Sequence, residues 1–131
     1  MEMPENFVRI DYADGFYRGE VAEDGTTEHG YGSFFFNSGN IYVGEFRNGR
    51  FNGHGRYAWA DGKIYEGDFA NGKPVGQGKM VWPSGDRYEG GFVDGKMEGE
   101  GTYYDKDGSI VYSGPWVQGC AVNSDDKRLT E

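Results

Sequence analysis

A fixed 23-residue interval governs this chain: Gly30, Gly53, Gly76 and Gly99 keep it, and so do Gly32, Gly55, Gly78 and Gly101. Gly39, Gly62, Gly85 and Gly108 follow the same spacing, as do Tyr42, Tyr65 and Tyr88 and the phenylalanines at 46, 69 and 92. A unit this short cannot enclose a core of its own, so it must bury its apolar face against its neighbours. Within a unit the period is two. Tyr42, Gly44 and Phe46 point one way and Val43, Glu45 and Arg47 the other, as in a half-buried strand. Gly53, Gly55, Tyr57 and Trp59 form a second such row, with His54, Arg56 and Ala58 opposite. Asn48-Gly49 lies between the rows and Asp61-Gly62 after them, dipeptides that accept positive φ and reverse an antiparallel pair. Pro83 falls where a strand gives way to its turn and costs no mid-ladder bond. No segment carries a capped helical stripe. The pattern predicts an all-β fold: one elongated antiparallel meander of hairpins with about ten strands, twisted and curved into a groove, and roughly 45 Å of sheet.

Val8, Ile10 and Tyr12 before Asp14-Gly15 have the phase of a second strand, so a half-unit over 7–15 opens the domain. A degenerate unit spans 17–41, with Val21 in place of phenylalanine and a hairpin two residues longer. Near-regular units cover 42–64, 65–87 and 88–111, and a partial unit, shifted by one inserted residue, covers 112–120. No second strand is expected after Tyr112, Gly114 and Trp116. Together these make one repeat domain, 1–120, and 121–131 reads as a polar tail or end cap.

Composition says what fills such a sheet. Of 131 residues only 36% are hydrophobic, yet 17% are aromatic and 24 are glycine. Tyr, Phe and Trp must therefore supply most of the buried area, about 150–250 Å² each where covered. The net charge of −9 repels nucleic acid and disfavours anionic lipid. Cys120 is the one cysteine, which leaves neither an intrachain disulfide nor a cysteine-based zinc site. The first residues lack a basic stretch followed by an apolar one, so a cytoplasmic location is the default expectation, peripheral to membrane or cytoskeleton as a variant of it.

The order Y-x-G-x-F-x-N-G, then G-x-G, then an aromatic and D-G, at this period over residues 17–119, closely resembles the MORN repeat (membrane occupation and recognition nexus). The resemblance implies an elongated, twisted antiparallel sheet bent into a groove. It also implies a scaffold, docking or dimerising role, sometimes beside an enzyme, with phosphoinositide binding proposed for several members.

The glycine pairs do not read as a phosphate loop. Such a loop needs a strand-to-helix junction, whereas G-x-G occurs here inside strands, where glycine marks close approach by a ring or backbone. Rings of one hairpin are expected to lie over the bare backbone of the next, so Gly67→Val should crowd a ring. His29 and His54 occupy different repeat positions, and Asp105 to Gly108 reads as a turn rather than a calcium loop. No catalytic set, cofactor or metal is called for, and the chain is expected not to be an enzyme.

The candidate surface is aromatic. Tyr42, Phe46, Tyr57, Trp59, Tyr65, Phe69, Trp82, Tyr88, Phe92 and Tyr103 share one face with Met80. They are core, and where left open they form a groove for a helical or extended segment of a protein partner. Self-association as a homodimer through terminal strands is a further expectation. An alternative is a peripheral membrane adaptor using a basic turn edge of Arg50, Lys73 and Lys96, which the surrounding acids weaken. Another is an accessory subunit of an enzyme. On the back face, Glu45 with Arg56 and Asp68 with Lys79 are expected to pair.

Overall fold

The structure, a computed structural model, describes residues 7–122 and 128–129. One open antiparallel sheet accounts for it, with every strand hydrogen-bonded to the next in chain order. The strands are β1 (Phe7–Tyr12), β2 (Gly15–Val21), β3 (Glu28–Phe36), β4 (Ile41–Arg47), β5 (Arg50–Ala58) and β6 (Ile64–Ala70). They continue as β7 (Lys73–Val81), β8 (Arg87–Val93), β9 (Lys96–Tyr104), β10 (Ile110–Val117), β11 (Cys120–Val122) and β12 (Arg128–Leu129). The described residues contain no helix.

Turn chemistry sets this path. Asn48 and Gly49 have φ of 51° and 81°, and Asn71-Gly72, Asp94-Gly95 and Gln118-Gly119 repeat the pair of positive values. Two consecutive positive φ angles make the turn whose twist matches its strands. The last of these corrects the sequence reading. Gln118-Gly119 lacks the Asn-Gly signal yet turns the chain in the same way, so β11 follows β10 and the sheet has 12 strands rather than about ten. Residues 123–127 and 130–131 of the expected tail lie outside the described residues. The residue inserted before Tyr112 is absorbed as an irregularity between Ile110 and Tyr112, after which Tyr112 faces Tyr103 and Gly114 faces Gly101.

Register places one glycine of each strand from β2 to β10 in a single file across the sheet. Gly19, Gly32, Gly44 and Gly55 stand opposite one another in turn. Gly67, Gly78, Gly90, Gly101 and Gly114 continue the file. On one face tyrosine rings lie down over this file. A Cβ built on Gly55 would sit 2.6 Å from Tyr42 ring carbons, and one on Gly78 would sit 2.5 Å from Cζ of Tyr65. The covered glycine belongs to the tyrosine's own hairpin, not to the next one as expected. At Gly67 the first obstacle is backbone, Gly78 Cα at 2.5 Å, before the Tyr65 hydroxyl at 2.7 Å.

Each reclining ring ends on a bulge. Between Gly44↔Gly55 and Phe46↔Phe51, Glu45 alone faces Asn52, Gly53 and His54, and the same irregularity recurs at Glu20, Asp68 and Gly91. The bulged residue's carbonyl accepts the phenol: Tyr42 donates to Glu45 at 2.7 Å, Tyr65 to Asp68 at 2.9 Å and Tyr88 to Gly91 at 3.0 Å. Between the tyrosines stand rings at right angles. Phe46 meets Tyr17 and Tyr42 edge-on, Phe69 meets Tyr42 and Tyr65, and Phe92 meets Tyr65 and Tyr88. Trp116 ends the series between Tyr88 and Tyr112. This continuous aromatic ladder is the core, and Tyr17, Tyr42, Tyr65 and Tyr88 are 0% exposed. Edge-to-face pairs are worth about 0.5–1.5 kcal/mol each beyond the area they bury. Tyr65→Phe keeps the ring and leaves the Asp68 carbonyl unpaired, so it should lower unfolding free energy by about 1–3 kcal/mol. Urea denaturation at neutral pH measures this.

Candidate functional site

The ladder face holds the expected aromatic groove, and burial divides its residues. Tyr42, Tyr65 and Tyr88 are 0% exposed, Phe46 and Phe69 are 4% and Phe92 is 2%, so these six are floor. Tyr57, Trp59, Trp82 and Tyr103 are only partly buried against the ladder and present ring surface. The reason is geometric. On this face Tyr17, Tyr42, Tyr65 and Tyr88, on even-numbered strands, recline onto glycines, whereas Tyr57 and Tyr103, on β5 and β9, stand among other rings. Tyr57 packs on Trp59 at 4.6 Å between centroids, and Trp82 on Tyr103 at 5.3 Å. Hydrogen bonds fix the phenols of this rim: Asn40 Nδ2 donates to Tyr57 at 3.1 Å, and Tyr103 donates to Asp86 at 3.1 Å.

Two recesses indent this face. One, of about 340 Å³, lies between Tyr12, Phe34, Phe36, Phe46 and Phe51, with Asp14 and Glu28 on its wall. Tyr12 donates its hydroxyl to the Glu28 carboxylate, and burial, reinforced by that carboxylate, pushes the Tyr12 phenol up to about 12. The other, of about 310 Å³, lies between Met80, Trp82, Phe92 and Met97, with Lys63 and Lys96 at its wall. Lys63 Nζ stands 4.4 Å over the Trp59 ring. The recesses thus carry opposite charge along one aromatic face.

Sequence reasoning missed Tyr12, Phe34, Phe36 and Phe51 because they fall outside the regular units or at the irregular position after the Asn-Gly turn. Phe51 stacks on Tyr42 at 3.9 Å, closer than any residue of the expected row. A second apolar row crosses the opposite face, where Phe16, Phe35, Ile41, Ala58, Ile64 and Val81 stand in register and are half-buried. Its signal was the apolar residue preceding Tyr42 and Tyr65.

The charged residues sit differently from expectation. Arg50, Lys73 and Lys96 are exposed on successive hairpin tips, beside exposed Asp94. The expected pairs of Glu45 with Arg56 and Asp68 with Lys79 do not form. The strand register opposes other residues: Arg56 faces Val43 and Glu66, and Lys79 faces Glu66 and Glu89. Glu45 and Asp68 instead accept backbone N–H groups of His54 and Gln77. Among the described residues the ion pairs are Arg9 with Asp11 and Arg87 with Glu89. His29 accepts the Asn48 N–H through Nδ1 at 3.4 Å, and Cys120 is half-buried. Asp105 Oδ1 accepts the N–H groups of Asp107 and Ser109, which makes that segment a self-closed turn. No helix among the described residues is long and apolar enough to cross a membrane.

The repeated hairpin, the glycine file and the reclining tyrosines coincide with a family model, MORN repeat, that matches residues 28–41, 42–64, 65–87 and 88–110. The chain belongs to the MORN-repeat family. No curated protein matches it as a relative. MORN repeats are generally protein- or membrane-binding modules, and the repeat is non-catalytic in itself. In MORN terms, the aromatic and glycine positions of the units at 42–64 and 65–87 are the ladder and its file.

Proposed function

We propose that this MORN-repeat protein is a non-catalytic docking module that takes a helical or extended segment of another protein against its ladder face. The observation that carries this reading is the partly exposed rim of Tyr57, Trp59, Trp82 and Tyr103 on a sheet over which the described residues lay no second layer. Rigid rings over a fixed floor give apolar contact at low entropic cost, and Tyr and Trp are the usual anchors of interfaces. The two recesses favour a segment whose charge changes sign along its length, basic near Asp14 and Glu28 and acidic near Lys63 and Lys96. Self-association through terminal strands, or service as a subunit beside an enzyme, is compatible with the same face.

Affinity capture from the native cell, with wild type and the Trp59→Ala/Trp82→Ala variant as parallel baits, tests it. Each anchor is worth about 2 kcal/mol or more, about 30-fold, so losing both should lower affinity for the docked protein by up to about a thousandfold where the two add, while the fold survives. Equal capture by a folded variant overturns the reading. The membrane alternative rests on the exposed tips at Arg50, Lys73 and Lys96. At about 1 kcal/mol per basic residue near an anionic surface, three cations make a weak anchor. Salt-sensitive sedimentation with anionic vesicles, lost on changing all three to Glu, would favour it instead.

A further inference from the structure

We propose that the recess between Tyr12, Phe34, Phe36 and Phe51 is a cage for an alkylated ammonium group, the head of a methylated lysine on the docked segment. The proposal rests on the docking reading for the source of that group, and on the recess itself for its chemistry.

The sheet departs from its own pattern at this place. The later hairpins close with the apolar pairs Phe46↔Phe51, Phe69↔Pro74 and Phe92↔Met97, but the first closes with Val21↔Glu28. Valine leaves room where the later units carry a ring, and an acid stands where they carry Phe51, Pro74 and Met97. Glu28 is only 8% exposed. A carboxylate that deep is costly unless it is paired. Tyr12 donates a hydrogen bond to it, yet the ion pairs among the described residues are Arg9 with Asp11 and Arg87 with Glu89. A local rule broken at a cost in stability points to function.

Rings supply the rest of the cage. Tyr12 and Phe34 lie 5.7 Å apart between centroids, Phe34 and Phe36 4.5 Å, and Phe46 and Phe51 5.5 Å. Phe51 is stacked on Tyr42 at 3.9 Å, so this wall is fixed before a ligand arrives. The lining of the recess, about 340 Å³, includes Asp14 and Glu28 and no lysine or arginine. Aromatic faces attract a cation without supplying hydrogen-bond acceptors. A bare ammonium carries three N–H donors and a tight hydration shell that rings cannot replace. Two methyl groups put apolar surface against the rings and leave one N–H for Glu28. Two repeats further on, the corresponding recess has Met80, Trp82, Phe92 and Met97 beside Lys63 and Lys96, so the preference for a cation is confined to the first.

Titration of the whole chain, followed by the ring signals in NMR, tests this. The probes are choline, its uncharged carbon analogue dimethylbutanol, and blocked Gly-Lys-Gly peptides with the lysine dimethylated or unmodified. Choline and the dimethyllysine peptide should shift the Phe34, Phe36 and Phe51 rings saturably and leave the Met80 and Met97 methyls still. The methyl protons of both ligands should move upfield over the rings. The unmodified peptide should bind about tenfold more weakly, and the alcohol should not bind. Glu28→Gln keeps an acceptor for Tyr12 and removes the charge, so it should fold as wild type does while affinity for both ligands falls about tenfold. Equal binding of alcohol and choline, equal binding of the two peptides, or a folded Glu28→Gln that binds normally overturns the proposal. Choline binding without peptide binding points to a free quaternary amine and overturns the lysine source. The wild-type comparisons decide even if Glu28→Gln does not fold. Trp59 and Trp82 do not line this recess, so the Trp59→Ala/Trp82→Ala variant should titrate as wild type does. Failure of the docking reading and failure of the cage therefore show in separate experiments.

Discussion

Gly78→Val should destabilise the protein by about 3–5 kcal/mol, the cost of removing a large aromatic from a core. The new Cβ would stand 2.5 Å from Cζ of Tyr65 and nearer still to the phenol oxygen. The ring cannot slide away, because its hydroxyl is bonded to the Asp68 carbonyl and its flanks meet Phe69 at 5.1 Å and Phe92 at 4.8 Å. Lifting it breaks the ladder at its centre. Each hairpin packs only on its neighbours, so the damage separates the repeats on either side. Lys79→Val, one residue away on the exposed opposite face, should change stability by about 0.5 kcal/mol or less. Urea unfolding of both variants provides the measurement. A normal midpoint for Gly78→Val would contradict the packing account.

Alkaline pH should unfold the protein steeply. Burial, and after it the charge of neighbouring carboxylates, holds the phenols of Tyr17, Tyr42 and Tyr65 well above their ordinary value. That ordinary value is about 10. As pH rises past it the unfolded chain releases these protons while the folded chain keeps them. The unfolded state then binds fewer protons, so stability is intact below about pH 10 and falls above it. Each phenol contributes a slope of about 1.4 kcal/mol per pH unit, and three together about 4 kcal/mol per unit at the steepest. Urea midpoints followed through this range should fall accordingly, with tyrosinate absorbance appearing together with unfolding. Tyr65→Phe should remove about a third of the slope. Free ionisation of these phenols in the folded protein would refute the burial.

The fold was legible because its signals are local and recur. Asn48-Gly49 names a turn, Tyr42-Val43-Gly44-Glu45-Phe46 names a strand with two faces, and 23-residue repetition says that the answer is the same each time. Where the local signal changed, the reading stopped short. Gln118-Gly119 makes the turn without an asparagine, because its flanking strands and the Glu98 carboxylate accepting the Gln118 N–H hold it there.

The sequence by itself determined the repeat, the strand phase and the aromatic composition of the core. Only the tertiary structure decided which glycine each ring covers, that of its own hairpin, and which rings remain open. Tyr42 and Tyr57 have the same phase and face each other across β4 and β5, yet one is sealed and the other half-exposed. A period of two assigns a side chain to a face and says nothing of whether it reclines or stands. That choice depends on a bulged carbonyl within reach of the hydroxyl and on a neighbouring glycine with no Cβ, both of which exist only once the strands are paired. The same pairing moved Glu45 and Asp68 from the expected Arg56 and Lys79 to backbone amides, and left Gly91 as the one bulge of that series without an acid.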